Sequence, residues 1–133
     1  MSTETKTSLL ILDDEPIVCK RLRPAFERLD YEVEIYEDSA EAMARTKEKD
    51  FDIIITDLKM KGLGGLEFLG AVKSTSPHTE VIVITGYATM ETAKESFKLG
   101  VFDFIAKPFK ISEIVEVVEK AARKRAAAVG SGD

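Results

Sequence analysis

Four groups of chemically useful side chains each come directly after a run of residues that is typical of a buried strand. They are Asp13-Asp14, Asp57, Thr85 and Lys107. In an open parallel sheet, ligands bind at the carboxyl ends of the strands. We therefore expect the four groups to lie at one edge of a sheet and to form a single site, in which Asp57 accepts a phosphoryl group.

The three carboxylates of this expected site would repel one another in a shared crevice. At a separation of ~5 Å and an effective dielectric constant of ~20, each pair of charges costs about 3 kcal/mol. Either one acid is protonated or a cation lies between them. Mg²⁺ suits the position because one or two carboxylates, a main-chain oxygen and water satisfy it, with sites left for a phosphate.

The residue types fit phosphoryl transfer. A carboxylate such as Asp57 can attack phosphorus to form an acyl phosphate. The transferring group carries negative charge on its oxygens and needs cationic or hydrogen-bonding partners. Bound Mg²⁺ supplies one partner, the Lys107 ammonium a second and the Thr85 hydroxyl a third. Taken singly, each residue has an ordinary explanation as a helix cap or a turn residue, and only the joint placement favours a site.

The elements that would position these groups are five alternating strand–helix units. The strand-like runs lie at residues 9–12, 32–35, 51–56, 81–84 and 103–106. Such alternation predicts a parallel sheet with helices on both faces, a three-layer α/β/α fold. The second run alternates in polarity and the fifth is short, so both are placed at sheet edges. Right-handed crossovers then favour the order 2-1-3-4-5, a doubly wound, flavodoxin-like sheet. The winding reverses between strands one and three, and a crevice opens there beside Asp13, Asp14 and Asp57.

Helix boundaries are also readable. Pro16 suits the first turn of a helix, where its missing N–H is harmless. Asp38 or Ser39 is expected to cap the second helix, and Gly100 is expected to cap the C-terminus of the fourth.

Length and composition bound the organisation of the chain. Its 133 residues predict one domain over 8–122, with a disordered N-terminus at 1–7 and a flexible tail or cut linker at 123–133. The single cysteine, Cys19, excludes an internal disulfide and suits the cytoplasm. A net charge of -5 argues against direct nucleic-acid binding. No apolar run reaches the ~18 residues of a membrane span, so no membrane association is expected.

The joint motif resembles the receiver domain of bacterial two-component response regulators. The residues that carry the resemblance are Asp13-Asp14, Asp57, Thr85-Gly86 and Lys107-Pro108-Phe109, in this order and on this scaffold. The resemblance covers residues 8 to 122. It implies that Asp57 is the phosphoacceptor, that Asp14, Asp57 and the main-chain carbonyl of Lys59 bind Mg²⁺ directly, and that Asp13 helps through water.

The resemblance also implies how the phosphate is held and read. Thr85 and Lys107 would bind the phosphoryl oxygens, and the Lys107–Pro108 peptide bond would be cis. Thr85 would move toward the new anion and Phe104 would turn inward behind it, as a two-state switch. The expected output surface is the fourth helix, fifth strand and fifth helix. Lys59 and Tyr87 occupy positions that tune phosphate lifetime in the family.

Two residues depart from the family pattern in the loop after Asp57. Lys61 stands where a proline is frequent and Gly64 where an acid is frequent. Neither substitution removes a reacting group.

The implied partners are a sensor histidine kinase as phosphodonor and a downstream effector domain or protein, with a phosphorylation-dependent homodimer as a further expectation. The expected chemistry is Mg²⁺-dependent self-phosphorylation and dephosphorylation only, so the chain is not expected to be an enzyme. The stretch from Thr85 to Phe109 resembles receivers attached to enhancer-dependent transcription activators. A stand-alone receiver and a fragment of a longer regulator both stay open.

Two rival interpretations share part of the pattern. A haloacid-dehalogenase-like phosphohydrolase also uses a nucleophilic Asp, Mg²⁺, Thr and Lys, but it carries a second acid where Lys59 stands here. A flavodoxin-like flavin site would need a phosphate-cradling loop after the first strand. The Asp13-Asp14-Glu15 run would instead repel the flavin phosphate.

Overall fold

Five strands alternate with five helices along the chain in the computed structural model, which describes residues 6–59 and 64–130. The elements are β1 (Ser8–Leu12), α1 (Pro16–Arg28), β2 (Glu32–Tyr36), α2 (Ser39–Glu48), β3 (Ile53–Thr56), α3 (Gly65–Thr75), β4 (Glu80–Thr85), α4 (Met90–Lys98), β5 (Asp103–Ala106) and α5 (Ile111–Gly130). This is the predicted alternation.

The strands form one parallel sheet in the order β2-β1-β3-β4-β5, which confirms the predicted topology and both predicted edges. Main-chain bonds continue past the strand ends and fix the carboxyl edge. The Asp57 N–H donates to the Leu12 carbonyl at 3.1 Å, and the Lys107 N–H donates to the Thr85 carbonyl at 2.8 Å. The residues that follow β1, β3, β4 and β5 therefore share one edge.

The core has two layers, one on each face of the sheet. In β1, Leu9 and Ile11 pack into the layer beneath α1 and α5, whereas Leu10 and Leu12 pack into the layer beneath α2 and α3. All four side chains are completely buried. A continuous apolar run is the expected consequence, since each face of a central parallel strand is covered by helices.

The helix boundaries follow the sequence signals. Pro16 opens α1. Asp38, rather than Ser39, caps α2, because its Oδ1 accepts the N–H of Ala40 at 2.7 Å and that of Glu41 at 3.4 Å. Gly100 follows α4 with a φ of 96°, a left-handed conformation that favours glycine.

The structure differs from the sequence prediction at the C-terminal end of the fold. Residues 123–130, expected to belong to a flexible tail or cut linker, continue α5. Two ion pairs hold this part of the helix against the amino ends of the central strands. Lys124 Nζ lies 3.4 Å from Glu80 Oε2, and Arg125 Nε lies 3.2 Å from Asp52 Oδ1. Of the predicted disordered N-terminus, residues 1–5 lie outside the described residues.

Within the residues that the structure describes, none of the helices combines the length and the apolar character that crossing a membrane requires.

Candidate functional site

The Lys107 ammonium lies at the centre of the carboxyl edge and contacts three carboxylates. Its Nζ is 2.7 Å from Asp57 Oδ2 and 2.9 Å from Asp13 Oδ2, and it also bonds Glu15 Oε1. An ammonium has three N–H donors. Each of the three donors therefore has one carboxylate partner.

Asp57 is held from both sides. Its Oδ1 accepts the main-chain N–H of Leu58 at 2.6 Å and that of Lys59 at 3.2 Å, while Oδ2 faces Lys107. Only 5% of the residue is exposed. The carboxylate is thus fixed in one orientation at the end of β3, with its charge compensated by a single cation.

Burial and the shared ammonium set the protonation of the neighbouring groups. Burial raises the pKa of Asp13 above its usual value, and this outweighs the hydrogen bonds from Lys107 and from the Glu15 N–H, which lower it. For Lys107, burial acts to lower the pKa, but the hydrogen bonds to Asp57, Glu15 and Asp13 together raise it. Lys107 therefore stays charged at any physiological pH.

The carboxylates also form a set of donors that suits a hard cation. One oxygen from each of Asp13, Glu15 and Asp57 lies within 4.8 Å of the others. With all groups ionised, three carboxylates and one ammonium leave two negative charges uncompensated. Oxygen donors with excess negative charge are what Mg²⁺ requires. The residues present therefore fit the predicted metal.

The membership of this acidic set differs from the prediction. Glu15 belongs to it, although Asp14 was expected to be a direct ligand and Asp13 an indirect one. Asp14 is exposed and lines the open cavity above the site. The roles of Asp14 and of the Lys59 carbonyl as metal ligands stay predictions.

An open cavity of about 930 Å³ gives access to Asp57 and Lys107 from solvent. Two exposed side chains meet beside its mouth, where the Lys59 Nζ lies 4.5 Å from the centre of the Tyr87 ring. This is a cation–π contact between residues from the loops after β3 and β4. The cavity leaves Asp57 and Lys107 open to a molecule that approaches from solvent.

The two predicted switch residues, Thr85 and Phe104, are less exposed than Lys59 and Tyr87. Thr85 is completely buried at the end of β4, and its hydroxyl oxygen accepts the N–H of Tyr87 at 3.0 Å. Phe104, in β5, is half-buried and packs against the core layer that contains Leu10 and Leu12. Lys107 and Pro108, which follow β5, are joined by a cis peptide bond, as predicted.

A family model described as the response regulator receiver domain matches residues 9–119. The chain belongs to this family. The match begins in β1 and ends in α5, so it contains every residue of the site described above.

Curated relatives of this receiver domain are transcriptional regulators and other regulatory proteins. ZraR of Salmonella typhimurium is 29% identical over 116 residues, which are 87% of this chain and 26% of that protein. ActR of Rhizobium meliloti, an acid tolerance regulatory protein, is 36% identical over 108 residues, or 81% of this chain and 56% of that protein. The chain thus spans about a quarter of ZraR and just over half of ActR.

Solved structures share the fold closely. A CheY-like receiver domain protein from Methanospirillum hungatei has a TM-score of 0.89 and 25% identity, covering 92% of this chain and 98% of that one. The beryllofluoride-activated NtrC4 receiver domain dimer has a TM-score of 0.85 and 29% identity, covering 90% and 98%. A response regulator protein from Burkholderia pseudomallei with a phosphorylated aspartic acid, calcium ion and citrate has a TM-score of 0.80 and 27% identity, covering 92% and 72%.

Two residues of this receiver domain's site were missed by the sequence reasoning. Glu15 was visible only as the third acid of the Asp13-Asp14-Glu15 run. Gly65 opens α3, and a Cβ added there would lie 2.3 Å from the Asp57 carbonyl oxygen. A glycine shortly after the central acid was a usable signal for such a close approach of two backbone segments.

The two departures from the family pattern fall in the loop between Asp57 and α3. Lys61 lies outside the described residues. Gly64 caps α3, and its N–H donates to Glu67 Oε1 at 3.3 Å.

Proposed function

We propose that this receiver domain is a phosphorylation-activated switch in which Asp57 accepts a phosphoryl group from a sensor histidine kinase in the cytoplasm. The observation that carries the proposal is the buried Asp57 carboxylate, 2.7 Å from Lys107 and open to a cavity at the carboxyl edge of the sheet. The Burkholderia pseudomallei relative with its phosphorylated aspartic acid supports the same assignment.

The transfer step uses Asp57 as the nucleophile and a phosphohistidine of the kinase as the donor. A carboxylate oxygen of Asp57 attacks phosphorus and forms an O–P bond, while the N–P bond to the donor histidine breaks and its electron pair returns to the imidazole. The N–H groups of Leu58 and Lys59 orient the carboxylate. The Lys107 ammonium stabilises charge on the phosphoryl oxygens, as an already oriented cation in a partly buried site.

Mg²⁺ is the proposed cofactor, held by Asp13, Asp14 and Asp57, with the Lys59 carbonyl as a further ligand. When bound, it would neutralise the excess negative charge and stabilise charge on the transferring group. The aspartate side chains in this role carry the oxygen donors that the ion prefers.

We propose that Thr85 and Phe104 transmit the change. The buried Thr85 hydroxyl would turn from the Tyr87 N–H toward a phosphoryl oxygen, and half-buried Phe104 would move into the space behind it. A shift from 1:99 to 99:1 between the two states requires about 5.5 kcal/mol of preference. Lys59 and Tyr87, in contact beside the cavity, would tune phosphate lifetime by shielding the acyl phosphate from water.

The proposed output surface consists of α4, β5 and α5. In α4, Met90 is 77% exposed and Phe97 is 52% exposed, so this helix presents apolar side chains to solvent. A downstream effector domain or protein, or a second copy after phosphorylation, would cover them. The beryllofluoride-activated receiver domain of NtrC4 is a dimer, which supports a second copy as one of these partners. We propose that the domain has no external substrate and binds neither nucleic acid nor membranes.

Phosphate uptake tests the proposed function. We expect incubation with acetyl phosphate and Mg²⁺ to add the mass of one phosphate to the intact chain, and hydroxylamine to remove it, because acyl phosphates are labile to that nucleophile. A chelator should block the gain. Absence of any mass gain with Mg²⁺ present, or a phosphate that resists hydroxylamine, would contradict the proposal.

Asp13 gives a separate prediction about stability. Its raised pKa means that the folded state binds the proton more tightly than the unfolded state. Above that pKa, keeping Asp13 ionised therefore costs stability, and the cost disappears as pH falls below the unfolded value. We expect Asp13→Asn to raise the free energy of unfolding by about 1 kcal/mol at pH 7 without Mg²⁺, because a neutral side chain avoids the cost of burying the charge, and this gain is partly offset by a weaker bond to Lys107.

Urea unfolding of both proteins at pH 7 and near pH 4 checks this. The advantage of Asp13→Asn should shrink at the lower pH. The exposed neighbour serves as the control, since Asp14→Asn should change stability less. If the stability advantage of Asp13→Asn over the unaltered chain instead increased at the lower pH, the explanation would be wrong.

A further inference from the structure

Of the three carboxylates that the structure describes around Lys107, Glu15 is the one that solvent reaches freely. Its side chain is 57% exposed, whereas those of Asp13 and Asp57 are 3% and 6% exposed. Glu15 precedes α1, and its side chain makes no hydrogen bond to the N-terminus of that helix. Its carboxylate instead reaches across to the ammonium that follows β5.

Counting donors shows what this contact implies. The three N–H groups of Lys107 already meet Asp13, Glu15 and Asp57. While Asp57 is still an ionised acceptor that Lys107 orients, an incoming phosphoryl oxygen can therefore be bound by Lys107 only if Asp13 or Glu15 is released. Release of Asp13 would leave a buried anion without its cation, which is costly, whereas the exposed Glu15 carboxylate would be hydrated by water.

Charge points the same way. A phosphoryl group on Asp57 brings additional negative charge to within the reach of Lys107, and Glu15 shares that ammonium. Like charges at such short range repel. Glu15 is thus the partner that fits the unphosphorylated site and is incompatible with the phosphorylated one.

We propose that Glu15 is a positioning residue that occupies the place of a phosphoryl oxygen on Lys107 and is displaced when Asp57 is phosphorylated. The inference rests on the proposed function, because it assigns a role within the same transfer. Glu15 keeps Lys107 oriented toward Asp57 before transfer. It also opposes the entry of phosphodonors, and the opposition increases with the negative charge of the donor.

The test compares two small phosphodonors at saturating Mg²⁺ near pH 7. Acetyl phosphate is a dianion there, and phosphoramidate carries one negative charge less. Since a Coulomb interaction is proportional to donor charge, Glu15→Gln should raise the phosphorylation rate constant about tenfold with acetyl phosphate and about threefold with phosphoramidate. Raising the salt concentration should reduce both gains.

Glu27→Gln is the matched control. It removes the same charge from the other end of α1, where Glu27 is exposed and pairs with Arg23. We expect its rates to equal those of the unaltered chain. A merely structural role for Glu15 would change both donors equally, and that result would overturn the proposal.

The other possible results of the rate measurements also test the proposal. Slower phosphorylation of Glu15→Gln at saturating Mg²⁺ would make Glu15 a supporting group rather than a competing one, and would reject the proposal. If the unaltered chain and Glu27→Gln take up phosphate but Glu15→Gln is no faster, only this inference fails. If the unaltered chain takes up no phosphate, the proposed function fails first.

A crystal structure of the beryllofluoride complex provides an independent geometric check. Lys107 should keep its contact with Asp13, gain a contact with fluoride, and lie beyond hydrogen-bond distance of Glu15. A complex in which Lys107 still bonds Glu15 would overturn the assignment, whatever the rates.

Discussion

Asp57→Asn should take up no detectable phosphate from acetyl phosphate, while the fold is retained. The amide nitrogen and oxygen of asparagine keep the size of the side chain, and the oxygen can still accept the N–H groups of Leu58 and Lys59. The carboxylate that attacks phosphorus is lost. This removes the reacting group itself, so we expect the largest effect on activity of any single substitution in the chain.

Intact mass measures the uptake of phosphate by Asp57→Asn, and circular dichroism shows whether the fold is retained. Asp50→Asn is a suitable control, since Asp50 is an exposed acid shortly before β3 that bonds only the Ser76 hydroxyl among the contacts described. It should be phosphorylated like the unaltered chain. Continued phosphate uptake by Asp57→Asn would place the acceptor elsewhere and refute the assignment of Asp57.

Gly65→Ala should cause the largest loss of stability among conservative substitutions near the site. A Cβ at this position would lie 2.3 Å from the Asp57 carbonyl oxygen and 2.4 Å from the Leu58 Cα. Both are backbone atoms of the segment that carries the acceptor, so neither can swing aside. We expect a loss of about 3 kcal/mol or more in the free energy of unfolding, together with slower phosphorylation as the segment is displaced.

Gly70→Ala is the matched control within the same helix. Its Cβ would meet only the Leu99 side chain at 3.7 Å, an ordinary contact. Alanine is favoured over glycine inside a helix by about 1 kcal/mol, so this variant should be slightly more stable. Urea unfolding of the two variants provides the comparison. Similar stabilities for Gly65→Ala and Gly70→Ala would show that the close approach at Gly65 is not tight.

The sheet order could be predicted because the burial of a strand determines which of its residues are apolar. Leu9–Leu12 is apolar throughout since helices cover both faces of β1, and Glu32–Ile35 alternates because β2 lies at an edge. Because all the strands are parallel, the residues after β1, β3, β4 and β5 lie at one edge of the sheet. Most of the site then followed without any knowledge of side-chain contacts.

The individual contacts at the site could not be predicted in the same way. Which of three successive acids reaches Lys107 depends on the turn between β1 and α1, where Asp13 and Glu15 face the ammonium while Asp14 lines the cavity. A sequence shows the three acids but not the direction of each side chain. The family pattern favoured Asp14, and the contribution of Glu15 became visible only in the structure.

The end of α5 was missed for a related reason. Small and basic residues after 122 read as a solvated tail, because their partners are remote in the sequence. Lys124 and Arg125 meet Glu80 and Asp52, at the amino ends of β4 and β3. Such long-range ion pairs leave no periodic signal, so the tertiary structure decides where the helix ends.

Borohydride reduction of the phosphorylated chain tests the central claim most directly. An acyl phosphate of aspartate is reduced to homoserine, and peptide mass spectrometry can locate that residue. We predict homoserine at position 57 alone, formed only after incubation with the phosphodonor and Mg²⁺. Homoserine at position 13 or 14, reduction at Glu15, or no reduced residue at all would contradict the account.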